Sequence, residues 1–174
     1  FGAGDDLSIW VEALLELERR GWKGRAGTAL ACHEAEASFF RKITAAAADR
    51  GRLMMEMLAL DGKPIAMRCN VRGLDQGAYG LKIAFDEEYA KFSPGVQLEF
   101  EVLDRMLSGR EARWMDSCAV PNHPLFNRLW MERRVMRHLS LGVGLFGRGW
   151  VRGLKTARSV KRFWRGLGSR RDGA

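Results

Sequence analysis

Between residues 52 and 85 the apolar residues leave helical spacing for three successive runs that read as strands. Arg52 to Leu60 is almost continuously apolar, as a buried strand would be. Asp61-Gly62 then marks a hairpin turn, because these residues tolerate the positive φ that a two-residue turn needs. In the second run Ile65, Met67, Cys69 and Val71 alternate with Ala66, Arg68, Asn70 and Arg72. That is period two, with one face buried and with Arg68 and Arg72 on the solvated one. After Gly73 to Gly77, a third run alternates Tyr79, Leu81, Ile83 and Phe85 with Ala78, Gly80, Lys82 and Ala84. This sets Lys82 opposite Tyr79 and Leu81, among small neighbours. Three such runs fold most economically as an antiparallel meander.

Helical spacing flanks the meander on both sides. Asp5-Asp6-Leu7-Ser8 opens a first helix, with Ser8 as a candidate cap and Trp10, Leu14 and Leu17 on one face. Arg19-Arg20-Gly21 ends it. Trp22 to Gly27 is a glycine-punctuated loop, and an alanine-rich helix runs from about Leu30 to Arg50. Beyond the meander, Ser93-Pro94-Gly95 starts a helix on which Leu98, Val102 and Met106 share a face, ended by Gly109. Ala112 to Cys118 reads as a fourth strand, Leu125 to Arg133 as a short helix, and Val135 to Leu141 as a last strand. The fold class is therefore α/β (α+β): a mixed, mostly antiparallel sheet flanked by helices. The step from Gly77 through Asp116 gives parallel neighbours with a right-handed crossover.

Length and charge narrow the classes. The 174 residues fit one ordinary domain, and no run of eighteen apolar residues is present to span a membrane. Three scattered cysteines, with no CxxC and no Cys/His cluster, point to reduced thiols and to no metal site. The chain opens on Phe1 and reads as the C-terminal part of something longer. Residues 1–145 carry no net charge, so the whole excess of +8 lies in residues 146–174.

Two segments concentrate chemistry. The backbone N–H groups after Ser93-Pro94-Gly95 form an anion site at a helix start, suited to a cofactor pyrophosphate; an ordinary capped helix is the plainer reading. Asp116 to Pro124 follows the C-terminal end of a parallel strand, where open α/β sheets bind ligands. There Asp116 or His123 could take a proton from an amine, and Ser117 or Cys118 could give one to a leaving thiolate. The plainer reading has Asp116 capping a turn and His123 bonded to backbone. Lys82 and Asp86 flank the end of the third strand. Arg68 suits a carboxylate or phosphate on a substrate, and Trp22-Lys23 could line a pocket wall.

Gly21-Trp22-Lys23-Gly24, Gly27-Thr28-Ala29, Tyr79 to Asp86, Phe92-Ser93-Pro94-Gly95, Asp116 to Ala119 and Leu129 to Arg134, in this order, resemble the BioF2-like or CelD-like acetyltransferase domain. That domain belongs to the GNAT superfamily and is related to the FemAB peptidyltransferases. The resemblance spans roughly residues 7 to 141, and the domain is set at 5–141. It implies N-acyl transfer from acetyl-CoA to an amine of a small molecule or a cell-envelope precursor. It sets Phe85, Asp86, Ser93, Pro94 and Gly95 around the cofactor phosphates, and the reading of the third strand adds Lys82. Asp116, His123 and Cys118 would be catalytic, and Trp22, Lys23 and Arg68 would face substrate. Where the superfamily has Gln/Arg-x-x-Gly-x-Gly/Ala, this chain has Lys91-Phe92-Ser93-Pro94-Gly95. An aminoacyl-tRNA donor, as in the FemAB relatives, and an inactive scaffold are the alternatives.

The tail over 146–171 repeats Trp150, Leu154, Ala157, Val160, Trp164 and Leu167 at helical spacing, surrounded by Arg148, Arg152, Lys155, Arg158, Lys161, Arg162 and Arg165. A basic amphipathic helix of this kind suits an anionic membrane surface, such as the inner membrane of a cytoplasmic enzyme. RNA binding, or packing on a protein, competes with that reading.

Overall fold

The structure is a computed structural model that describes residues 1–2, 4–109, 112–136, 139, 141–144, 146–147, 149–150 and 153. It divides into two compact units, Phe1–Met131 and Glu132–Ala174. The first unit holds α1 (Leu7–Arg20), α2 (Trp22–Arg25), α3 (Glu34–Ala48), β1 (Leu53–Leu60), β2 (Lys63–Arg72), β3 (Gly77–Phe85), α4 (Pro94–Gly109), β4 (Trp114–Asp116) and α5 (Phe126–Leu129). The strands form one sheet in the order β1-β2-β3-β4, antiparallel except for β3 with β4. This is the expected mixed, mostly antiparallel sheet flanked by helices.

Local chemistry explains most of the boundaries. Asp6 caps α1, accepting from the Ser8 N–H at 2.8 Å, so the cap lies two residues before the expected Ser8. Asp6→Ala is expected to lower the urea midpoint slightly with an unchanged m-value, and Asp6→Ser to restore it. The expected long second helix is a 3₁₀ turn, Leu30–Cys32, followed by α3, and Trp22 to Arg25 is a helical turn rather than a loop. Asp61 and Gly62 both take positive φ (51° and 75°), the geometry of a two-residue hairpin turn.

The sheet is covered on both faces. Val11, Leu14 and Leu15 of α1 and Ala37 and Phe40 of α3 pack with Met55, Met67 and Cys69 on one face. On the other, Leu98, Val102 and Met106 of α4 pack on Ala66 and Ala78. This corrects the one-faced reading of β2. Ala66 through Asn70 are all buried, because β2 is an interior strand with a helical layer on each side.

The chain beyond β4 differs from expectation. Of the predicted strand over 135–141, Val135, Met136, Leu139 and Leu141 are described; none is in a strand and all are exposed. The helix expected from Leu125 to Arg133 is confined to Phe126–Leu129. The basic tail over 146–171 lies almost wholly outside the described residues. Among the described residues no helix is long and apolar enough to cross a membrane.

Candidate active site at the parting of β3 and β4

β3 and β4 pair over only three rungs, Gly77–Trp114, Ala78–Met115 and Tyr79–Asp116. At the next position they are still close: a Cβ on Gly80 would lie 2.8 Å from the Ser117 carbonyl oxygen. Beyond it both chains leave the ladder. In β3 the register with β2 shifts between Cys69–Lys82 and Asn70–Gly80, so Leu81 is an extra residue and the strand bulges. On the β4 side the Asp116 carboxylate accepts from the Cys118 N–H at 2.8 Å, and Cys118 takes φ 50°, which turns the chain away. Asp116 thus forms the turn that presents Cys118. The start of the pair is closed by Trp114, which lies against Gly77 and meets Tyr79 edge-on at 5.2 Å.

Two titratable side chains stand where the chain turns out. Cys118 is exposed, and partial burial, then the Asp116 charge, raise its pKa. It is a thiol with a proton to give at neutral pH. Five residues on, His123 packs on Phe126 with ring centroids 4.7 Å apart, and its Nδ1 is buried without a partner. Burial, then the nearby Lys23 charge, lower its pKa from 6.5. A ring that is neutral at pH 7 keeps one nitrogen free to take a proton.

On the α1 face a buried carboxylate gathers the lysines. Glu18 accepts from Lys82 at 2.7 Å, from Lys23 at 2.9 Å and from the Leu30 N–H at 2.9 Å. Burial would raise its pKa, but the bonds from Lys82, Leu30 and Lys23 outweigh it and the pKa is lowered. Lys82 is therefore not where alternation placed it. The bulge at Leu81 turns it onto the face shared by Cys69 and Tyr79, with Ala84 but away from Ala78 and Gly80. Sequence reasoning missed Glu18. The signal was a carboxylate in the buried stripe that follows Val11, Leu14 and Leu15. Trp22 keeps an exposed side chain, while its backbone N–H and the Arg25 guanidinium both donate to the Glu87 carboxylate at 2.6 Å.

On the α4 face Arg68 is 1% exposed, not solvated. It pairs with Glu99 of α4, donates through Nε to Asn70 at 2.9 Å, and lies 5.1 Å from the centre of the Phe126 ring. Burial lowers its pKa to about 10, which leaves it cationic at neutral pH. Trp130 donates to the other Glu99 oxygen at 2.9 Å. Glu99 and Trp130 were also missed, although Glu99 falls on the stripe of Leu98 and Val102.

Ser93, Pro94 and Gly95 do start α4. Ser93 adopts left-handed geometry (φ 52°), and its carbonyl accepts from Val96 and Gln97. A Cβ on Gly95 would meet Phe85 at 3.5 Å and Leu125 at 3.9 Å, so these three residues come together. Asp86 caps the 3₁₀ turn before α4 through the Glu88 N–H at 3.0 Å. Among the described residues no three His, Cys, Asp or Glu side chains are placed to hold a metal ion.

A family model described as an acetyltransferase (GNAT) domain matches residues 3–122. No curated protein matches the chain. Among solved structures, AAC(6')-Iy in complex with the bisubstrate analogue CoA-S-monomethyl-acetylneamine is 15% identical, with a TM-score of 0.51, over 76% of this chain and 92% of that one. An aminoglycoside acetyltransferase, HMB0005, from an uncultured soil metagenomic sample is also 15% identical, with a TM-score of 0.50, over 79% of this chain and 93% of that one.

Proposed function

Since the chain belongs to the acetyltransferase (GNAT) domain family, we propose that it transfers an acyl group from acyl-CoA to an amine at the parting of β3 and β4. The observation that supports this reading is the parting of β3 and β4 after three rungs, where the Asp116 turn presents Cys118 and His123 follows five residues on. The amine nitrogen attacks the thioester carbon and a C–N bond forms. His123 takes the amine proton. The C–S bond then breaks, and the leaving thiolate takes the proton of Cys118. His123 returns its proton by way of solvent, and Cys118 is reprotonated. The donor phosphates lie toward the α4 N-terminus, where the helix dipole favours anions, near Phe85, Asp86 and Ser93 to Gly95.

Finer features belong to the same proposal. The domain is of the BioF2-like or CelD-like branch. Its acceptor is an amine-bearing small molecule or envelope precursor approaching past Trp22 and Lys23. The small-molecule class is supported by a fold neighbour that acts on aminoglycosides. The 146–171 tail holds the enzyme at an anionic membrane surface, and Phe146 and Trp150 are exposed apolar residues within it. Aminoacyl-tRNA is the alternative donor. The Lys91-Phe92-Ser93-Pro94-Gly95 sequence in place of a glycine-rich loop favours it.

The test is release of free CoA thiol from acetyl-CoA with a panel of primary amines. Cys118→Ala is expected to lower kcat about tenfold or more with little change in KM, since it removes only a proton donor. Turnover by the wild type with aminoacyl-tRNA but not with acetyl-CoA would replace the donor assignment.

A further inference from the structure

Two ammonium groups share one buried carboxylate oxygen. Glu18 Oε1 accepts from Lys82 at 2.7 Å and from Lys23 at 2.9 Å, while Oε2 accepts from the Leu30 N–H. The Glu18 side chain is 2% exposed, against 22% for Lys82 and 29% for Lys23. One negative charge thus meets two positive ones, and the lysines rather than the acid reach solvent. An ammonium group has three N–H donors, and each of these has given one to Glu18. The acid next along, Glu87, does not offset the surplus, because it is paired with Arg25 and also accepts from the Trp22 N–H. The surplus lies beside the proposed site. Lys82 stands in β3 just past Gly80, where β4 departs, and Lys23 is the one charge that acts on the His123 ring. Both lysines are on the sheet face covered by α1 and α3, whereas α4, whose start is assigned to the donor phosphates, covers the other.

We propose that Lys23 and Lys82 form an anion subsite for the acceptor, so that the amine to be acylated belongs to a molecule that also carries a carboxylate or a phosphate. The assignment deepens the acyl-transfer reading and rests on it. Charge-assisted bonds from the unused N–H groups hold the acid group on the α1 face and leave the amine end of the molecule to reach His123. Glu18 fixes both ammonium groups before any ligand arrives, so little side-chain freedom is lost on binding. The exposed Trp22 side chain, with its ring centre 6.0 Å from the Lys23 Nζ, adds an apolar wall beside the charge. The subsite rejects as well as binds. An aminoglycoside carries several ammonium groups and no acid, so it brings like charge to the surplus.

The test measures thiol release from acetyl-CoA with matched amines at about pH 8, where a histidine is neutral with or without a neighbouring cation. The amines are the ω-amino acids from glycine to ε-aminocaproate, their uncharged amides, phosphoethanolamine beside ethanolamine, and neamine. The best acidic amine is expected to exceed its uncharged counterpart by about tenfold or more in kcat/KM, as for a hydrogen bond to a charged group. Whether that amine is an amino acid or phosphoethanolamine tells carboxylate from phosphate. Lys82→Gln leaves Glu18 paired with Lys23, and it is expected to raise KM for the acidic amine about tenfold. Its kcat, its KM for acetyl-CoA and its turnover of the uncharged amine are expected to stay within about twofold. Lys23→Gln is expected to act in the same way, and Lys82→Arg, which keeps the cation, to stay near the wild type. Equal kcat/KM for charged and uncharged amines, or neamine preferred to every acid, overturns the subsite and leaves the acyl transfer standing. A rise in KM for acetyl-CoA alone gives the lysines to the donor and also overturns it. Wild-type enzyme that releases no thiol with any amine overturns the acyl-CoA reading, and the subsite falls with it.

Discussion

Glu99→Ala is expected to destabilise the domain by about 3–5 kcal/mol, the usual cost of removing one partner of a buried ion pair. Glu99 is 0% exposed and Arg68 1%, so water cannot replace the lost carboxylate. The loss also leaves the indole N–H of Trp130 without its acceptor at 2.9 Å. Urea unfolding followed by far-UV circular dichroism measures it. Glu99→Gln is expected to lie between, because an amide oxygen still accepts but no longer balances the cation. Removing both charges, in Arg68→Met with Glu99→Leu, is expected to recover much of the loss. If Glu99→Ala were no less stable than the wild type, the pair would not be closed as described.

His123→Ala is expected to lower kcat/KM by about 10²–10⁴, the range for loss of a general base, with KM nearly unchanged. The sign of the pH dependence follows from the direction of its shift. Burial and the Lys23 charge lower the His123 pKa below 6.5, so the active, neutral form persists to lower pH than for a free histidine. Wild-type kcat/KM should rise with pH along an acid limb whose midpoint lies below 6.5, and His123→Ala should lose that limb. Lys23→Gln removes the neighbouring cation and should move the midpoint upward. Stability follows the same sign. The unfolded chain binds the His123 proton more readily, so its contribution is complete above pH 6.5 and is lost as pH falls toward the folded pKa. A flat wild-type profile between pH 5 and 7 would remove His123 from the reaction.

The meander was legible because each strand and each turn is a local pattern. Alternation marks β2 and β3, and Asp61-Gly62 closes its hairpin with the backbone signs such a pair allows. The opening of α4 at Ser93-Pro94-Gly95 and the Asp116 turn were legible for the same reason. What was not legible depends on partners far along the chain. Arg68 reads as a solvated residue until Glu99, thirty-one positions later, is set beside it by the packing of α4 on the sheet. Lys82 was assigned to the wrong face because one extra residue, Leu81, reverses every later side chain. Glu18 gave a sign that periodicity alone discounts, an acid in an apolar stripe. Of the expected strand over 135–141, the four described residues, Val135, Met136, Leu139 and Leu141, lie outside any strand.

The three-rung ladder between β3 and β4 leaves the outer side of β3 from Leu81 to Phe85 unpaired by any strand among the described residues. Such an edge offers alternating backbone donors and acceptors at fixed spacing, and proteins usually shield it against chance pairing. An edge of this kind can serve as a template. An extended molecule bearing amide groups can lie along it as a surrogate strand, bonded through the main chain whatever its substituents. Recognition of that kind grips the arm of a ligand and leaves its reacting end free to vary.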